Sequence, residues 1–228
     1  MRPGERHIRL HRTRLLLTSL ALVGGWLLSG CGGGAPAIDR TDLANDLAAR
    51  LTQATSADYT ARYQLAGGAE VTVSQTADPR RSAYRWGNGA LIYTPDAITK
   101  CDGAPQVCRM TAAPTAGPSH PNATELLKHG LLTPQKASAL LTAAALDLTT
   151  DISQRDTTIA GQPSTCLEVA STRDDRPYEF DICVTTDGVL GSFAGTVDGT
   201  PIDLAMTHYS RTVPTEAFAT ATPSISPL

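Results

Sequence analysis

Apolar and polar positions alternate along this chain with two periods, and the switches between those periods outline the fold. Leu43, Leu47 and Leu51 recur every four residues, with Ala44 and Ala48 beside them. That spacing predicts a helix over residues 39–54. Asp39 or Thr41 can cap its start, and the Asp39 and Asp42 carboxylates suit the positive end of a helix dipole. Its apolar stripe is narrow, so the helix should lie on another element. From residue 58 the period drops to two. Tyr59, Ala61, Tyr63 and Leu65 fall on one side of a first strand, 58–65. Five more short strands follow at 70–75, 81–86, 90–94, 98–101 and 106–110. Gly67-Gly68, Asp78-Pro79 and Gly87-Asn88-Gly89 supply turn chemistry between them.

Residues 112–121 hold three prolines and no period, which predicts a loop. Asn122-Ala123-Thr124-Glu125 has the form of a capping box for a short helix ending at Gly130. Thr133-Pro134 places a cap before a proline at the first helical position, and that helix runs to about Leu146. Strand periodicity then returns at 148–153, 157–160, 164–170, 178–185, 189–196 and 201–209. The Pro- and Ser-rich stretch 220–228 is read as a disordered tail. Helix, strands, helices, strands is not the alternation that builds parallel sheets. The expected class is α+β: one large, curved antiparallel sheet, a half-barrel, packed on the N-terminal helix and the central helical insertion. Residues 38–219 are expected to form a single domain.

The N-terminal segment is organised differently. Arg2, Arg6, Arg9, Arg12 and Arg14 precede an apolar run of fourteen residues, Leu15 to Leu28, and Leu28-Ser29-Gly30-Cys31 closes it. A basic head, a short apolar body and small residues before a cut site describe a secretory signal, here 1–30. A bilayer-spanning helix needs roughly 20 apolar residues, and this run is shorter and broken by Thr18, Ser19, Gly24 and Gly25. Leu28 to Cys31 resembles the bacterial lipobox, and Gly32-Gly33-Gly34 follows as part of a flexible tether, 31–37. That resemblance implies cleavage before Cys31 and its acylation by palmitate-type chains. The expected location is the cell membrane, lipid-anchored, on the extracytoplasmic face. Buried acyl chains contribute about 0.8 kcal/mol per methylene, enough to hold a protein without a spanning segment.

Charge and cysteines narrow the picture. The formal charge is −3. Residues 1–30 carry five Arg and one Glu, a net +4, so the remainder is near −7. A mildly acidic surface disfavours nucleic acid as a partner. Four of the five cysteines remain once Cys31 is acylated. An even set in an exported domain reads as disulfides. Cys101–Cys108 brackets turn residues, and Cys166–Cys183 lies symmetrically about Asp174-Asp175, so each pair can close its own hairpin. Metal ligation is the rival, but neither pair has the spacing of a zinc knuckle and no His stands at matching spacing. No nucleophile elbow, phosphate loop or calcium loop is present. His120, His129 and His208 are unpaired in sequence. The chain is therefore expected to be a non-enzyme without a cofactor or metal. Tyr63, Trp86 and Tyr93 are the candidate ligand contacts on the strands. Aromatics make up only 5% of the chain, and a sheet face of small apolar residues is suited to an acyl chain.

The order of elements resembles the half-barrel lipoproteins: the LolA-type carriers, the RseB-type sensors and the mycobacterial LppX/LprG group. Leu43, Leu47 and Leu51 resemble their first helix, and Asp58-Tyr59-Thr60 the opening of their sheet. Asp78-Pro79-Arg80-Arg81 resembles a polar turn before the next strand. Ile159-Ala160-Gly161-Gln162 resembles the turn opening the second strand group, and Val213 to Phe218 the closing segment. The resemblance covers roughly residues 38–220 and implies a lipid or other apolar ligand held in a half-barrel cavity. The alternative expectation is an envelope sensor or interaction module that regulates a membrane protein partner. The two cysteine pairs depart from the group's general pattern.

Overall fold

Eleven antiparallel strands form one open sheet in the order β6-β5-β4-β3-β2-β1-β11-β10-β9-β8-β7. The computed structural model describes residues 40–104, 106–114, 121–171 and 178–220. The signal segment, Cys31, the tether, His120, the Asp174-Asp175 turn and residues 221–228 lie outside them. Ile38–Leu228 is one compact unit. Helix α1 spans Arg40–Ala54; β1 to β6 are Tyr59–Leu65, Glu70–Thr76, Arg81–Trp86, Gly89–Tyr93, Ala97–Asp102 and Val107–Ala112. Helices α2 (Ala123–Lys128) and α3 (Pro134–Leu146) follow. Strands β7 to β11 are Thr150–Ile159, Gln162–Ser171, Tyr178–Thr185, Leu190–Val197 and Thr200–Ser210.

The expected α+β architecture is therefore the one observed, with a correction at β7. The sequence pattern predicts two strands, 148–153 and 157–160, but one strand runs through both. Gln154-Arg155-Asp156 contains no Gly, Pro or Asn to turn the chain. Its polar run is instead that of an edge strand, exposed along most of its length. Register with β8 is unbroken from Thr150↔Ser171 to Ile159↔Gln162.

Each half of the sheet is a meander, and β1 pairs with β11 to join the halves. One face is apolar and packs on the helices. Leu47 and Leu51 of α1, Leu126 of α2 and Leu141 of α3 are fully buried against Tyr63, Val71, Phe193, Ile182 and Leu204 of the strands in one cluster. A smaller cluster on the opposite face gathers Ala83, Ala90, Ile92 and Cys101, with Phe218 packed against it. The turn Thr215–Phe218 is held there by Arg85, which donates to the carbonyls of Ala217 and Ala219. Arg81 stacks its guanidinium 4.4 Å from the Phe218 ring centroid.

Both expected disulfides form. Cys101 and Cys108 are directly opposed on β5 and β6, as are Cys166 and Cys183 on β8 and β9. Their Cα separations are 4.0 and 3.9 Å, which places each pair at a closely spaced antiparallel position.

The helix starts follow their local chemistry. The Asn122 side chain accepts from the Glu125 N–H, and the Thr133 hydroxyl accepts from the Lys136 N–H. The capping box is only half made, because the Glu125 carboxylate is drawn to Lys100 at 2.6 Å. Gly188, with φ +78°, sits in the β9–β10 turn against the end of α1. A Cβ there would lie 2.3 Å from the Arg50 carbonyl oxygen, so only glycine lets the turn approach this helix.

Candidate functional site

Strand pairing fixes three rows of side chains on the helix-facing side of β1 to β4. Tyr63, Val71 and Trp86 make the first, ending at Gly89. Ala61, Val73, Tyr84 and Leu91 make the second. Tyr59, Gln75, Ser82 and Tyr93 make the third. The rows arise from the period-two pattern, since opposed residues of an antiparallel pair share a face. The connector between α2 and α3, residues 129–133, lies over the first two rows, with Leu131, Leu132 and Thr133 buried, while Gln75 and Tyr93 of the third meet the end of α1 and the start of α2.

Four tyrosines meet on this face. The Tyr63 hydroxyl donates to the Leu190 carbonyl at 2.8 Å. The Tyr93 hydroxyl accepts from the Asn122 N–H at 3.1 Å, and its ring meets Tyr84 edge-on at 6.5 Å. Tyr59 is 4% exposed, and its hydroxyl makes no hydrogen bond with a described residue. Burial pushes the phenols of Tyr59, Tyr63 and Tyr84 well above their usual value. Burial also raises that of Tyr93, partly offset by the Asn122 N–H. All four stay neutral at physiological pH and can act as hydrogen-bond donors.

The rings do not fill the space completely. A cavity of about 20 Å³ lies among Tyr59, Tyr63, Val73, Tyr84, Leu131 and Leu204, room for about one water molecule. A second of about 20 Å³ adjoins it on the polar side, at Gln75, Ser82 and Tyr93. Outside the first row lies an open groove of about 730 Å³, with Leu65, Val71, Trp86 and His129 on its walls. There the Trp86 indole stacks on the His129 ring, with centroids 4.1 Å apart and planes at 27°. Another open groove of about 560 Å³ runs between β4–β6 and α2, past Leu91, Ile98, Lys100 and Glu125. Its ion pair is well defined. The Lys100 ammonium, and secondarily Lys128, holds the Glu125 carboxyl below its usual range.

Of the three sequence candidates, Tyr63 and Trp86 share the first row, one on the cavity and the other on the open groove. Tyr93 stands in the third row, with its hydroxyl already engaged by Asn122. Tyr63 thus lines the tyrosine cavity, Trp86 the open groove beside it, and Tyr93 the polar cavity and the groove along α2. Tyr59, Tyr84, His129 and Leu131 belong to the region but were not among the candidates. The alternation of β1 and β3 places Tyr59 and Tyr84 on the right face. Nothing local marks His129 or Leu131, which arrive through the packing of the helical insertion.

Among the described residues no group of three or more His, Cys, Asp and Glu could hold a metal. Nor is any helix among them long and apolar enough to cross a membrane.

No known family model matches this chain. No curated protein matches it either. Among solved structures, it is similar to an uncharacterised conserved protein from Thermus thermophilus, at 10% identity and a TM-score of 0.43, covering 77% of this chain and 91% of that one. A likeness this distant carries no argument about activity.

Proposed function

We propose that this chain is a lipid-anchored envelope protein that binds an apolar or amphiphilic ligand on the helix-facing side of its sheet. The observation that carries the proposal is the covering of that face. An unclosed sheet presents rows of apolar and phenolic side chains, and its centre is sealed by a helix connector instead of by another strand. A connector can lift without breaking strand-to-strand hydrogen bonds. The ligand would occupy the space so opened, its chain against Val71, Val73 and Leu204. The half-barrel resemblance and the lipobox agree with this reading. Acylation of Cys31 and the extracytoplasmic location are part of the same proposal.

A second reading is favoured by one observation: the enclosed space is small, about 20 Å³, because side chains fill the rest. An envelope sensor or interaction module for a membrane protein needs no larger cavity. Native mass spectrometry of residues 38–228 made in an oxidising compartment, followed by organic extraction, separates the two. Lipid-sized extra mass is the expected result. A bare mass, and no uptake of added fatty acid, rejects ligand binding in favour of the protein-binding reading.

A further inference from the structure

The open groove and the tyrosine cavity lie one step apart on the same three strands. Moving two residues along each strand on one face leads from Leu65 to Tyr63 on β1, from Val71 to Val73 on β2, and from Trp86 to Tyr84 on β3. The first of each pair lines the groove and the second lines the cavity. Both stations are roofed by one piece of chain. His129 lies on Trp86 over the groove, and Leu131 closes the cavity two residues later. Between them Gly130 turns the chain at φ +74°, beside Leu65. Trp86 can lie flat at the mouth because its row ends on Gly89, where a Cβ would come within 2.3 Å of the indole nitrogen.

We infer that the Trp86–His129 stack is the mouth of the binding site and that residues 129–133 are its lid. This rests on the ligand-binding reading and adds the route and the ligand's chemistry. The route suits a single alkyl chain entering tail first. Leu65, Val71 and Trp86 give the mouth apolar and aromatic walls, and Glu70, a charged residue beside the groove, stays in solvent. At the inner end the buried Tyr59 hydroxyl has no hydrogen-bond partner among the described residues. The water for which that space has room would bond to it beside the end of the chain. In the closed form seen here the chain cannot pass, so uptake requires the His129–Trp86 stack to open.

Trp86 is the only tryptophan outside residues 1–30, so the intrinsic tryptophan fluorescence of residues 38–228 reports on the mouth alone. The test titrates this protein with cis-parinaric acid, to read binding, and with 9,10-dibromostearate, whose bromines quench an indole on contact. Saturable parinarate binding together with one-to-one quenching of Trp86 is the expected result. H129A should then take up parinarate several-fold faster than the unaltered chain. Parinarate binding without quenching, or uptake unaffected by H129A, overturns the mouth while leaving ligand binding in place. Failure to bind either probe overturns both readings.

Discussion

Single hydrogen bonds across the sheet's inner face and its turns contribute measurably to its stability. Tyr63 sends its hydroxyl across the core to the Leu190 carbonyl, and Y63F leaves that acceptor short of one donor. The expected loss is about 1 kcal/mol in a denaturant titration, the usual net worth of such a bond. In the turn just before Leu190, Asp187 accepts from Arg211 at 2.7 Å and from the Tyr209 hydroxyl at 2.8 Å. The Arg211 hydrogen bond, and then that of Tyr209, hold the Asp187 carboxyl below its usual range. A carboxyl depressed by folding adds stability above its unfolded pKa of about 3.9, and that contribution fades as the pH falls through the folded value. D187N should therefore be less stable than the unaltered chain near pH 7, and the two should converge in acid below about pH 4. Parallel melting curves across that range test the sign.

Among the elements, the β9–β10 turn acts as a stop for α1. G188A asks for a side chain at φ +78° and 2.3 Å from the Arg50 carbonyl oxygen. The left-handed backbone alone costs about 1–2 kcal/mol, and the clash adds to it, so a fall in denaturation midpoint is expected. Gln75 ties the same end of the helix to β2, donating to the carbonyls of Ala54 and Ala57 at 2.9 and 3.0 Å. Most elements were legible in the sequence because periodicity and caps are local. Leu43, Leu47 and Leu51 give α1, and Thr133-Pro134 gives the start of α3. The continuity of β7 through residues 154–156 was not, since a polar edge strand lacks the alternation that burial imposes. The candidate site was legible only on its sheet side. Tyr63 and Trp86 are marked by alternation, whereas His129 and Leu131 are set by how a helical insertion lands on a distant surface.

At the level of the whole molecule, each disulfide staples one wing of the sheet, at sequence separations of 7 and 17 residues. Loop-closure entropy puts their contributions at about 2.5 and about 3 kcal/mol. The C166S/C183S pair should thus lower the midpoint somewhat more than C101S/C108S, as read by thermal unfolding of each double variant. The wings differ in a more basic way from the seam between them. Strands β2 to β6 and β7 to β10 pair only with their neighbours in the chain, but β1 must find β11, with Thr60 opposite Ser210. Contacts of such long range form slowly. A chain emerging N-terminus first can fold its early wing within itself, yet β1 keeps a bare edge until the last strand has emerged. The sheet is thus complete only once β11 has emerged, and until then the β1 edge is open to pairing with another strand.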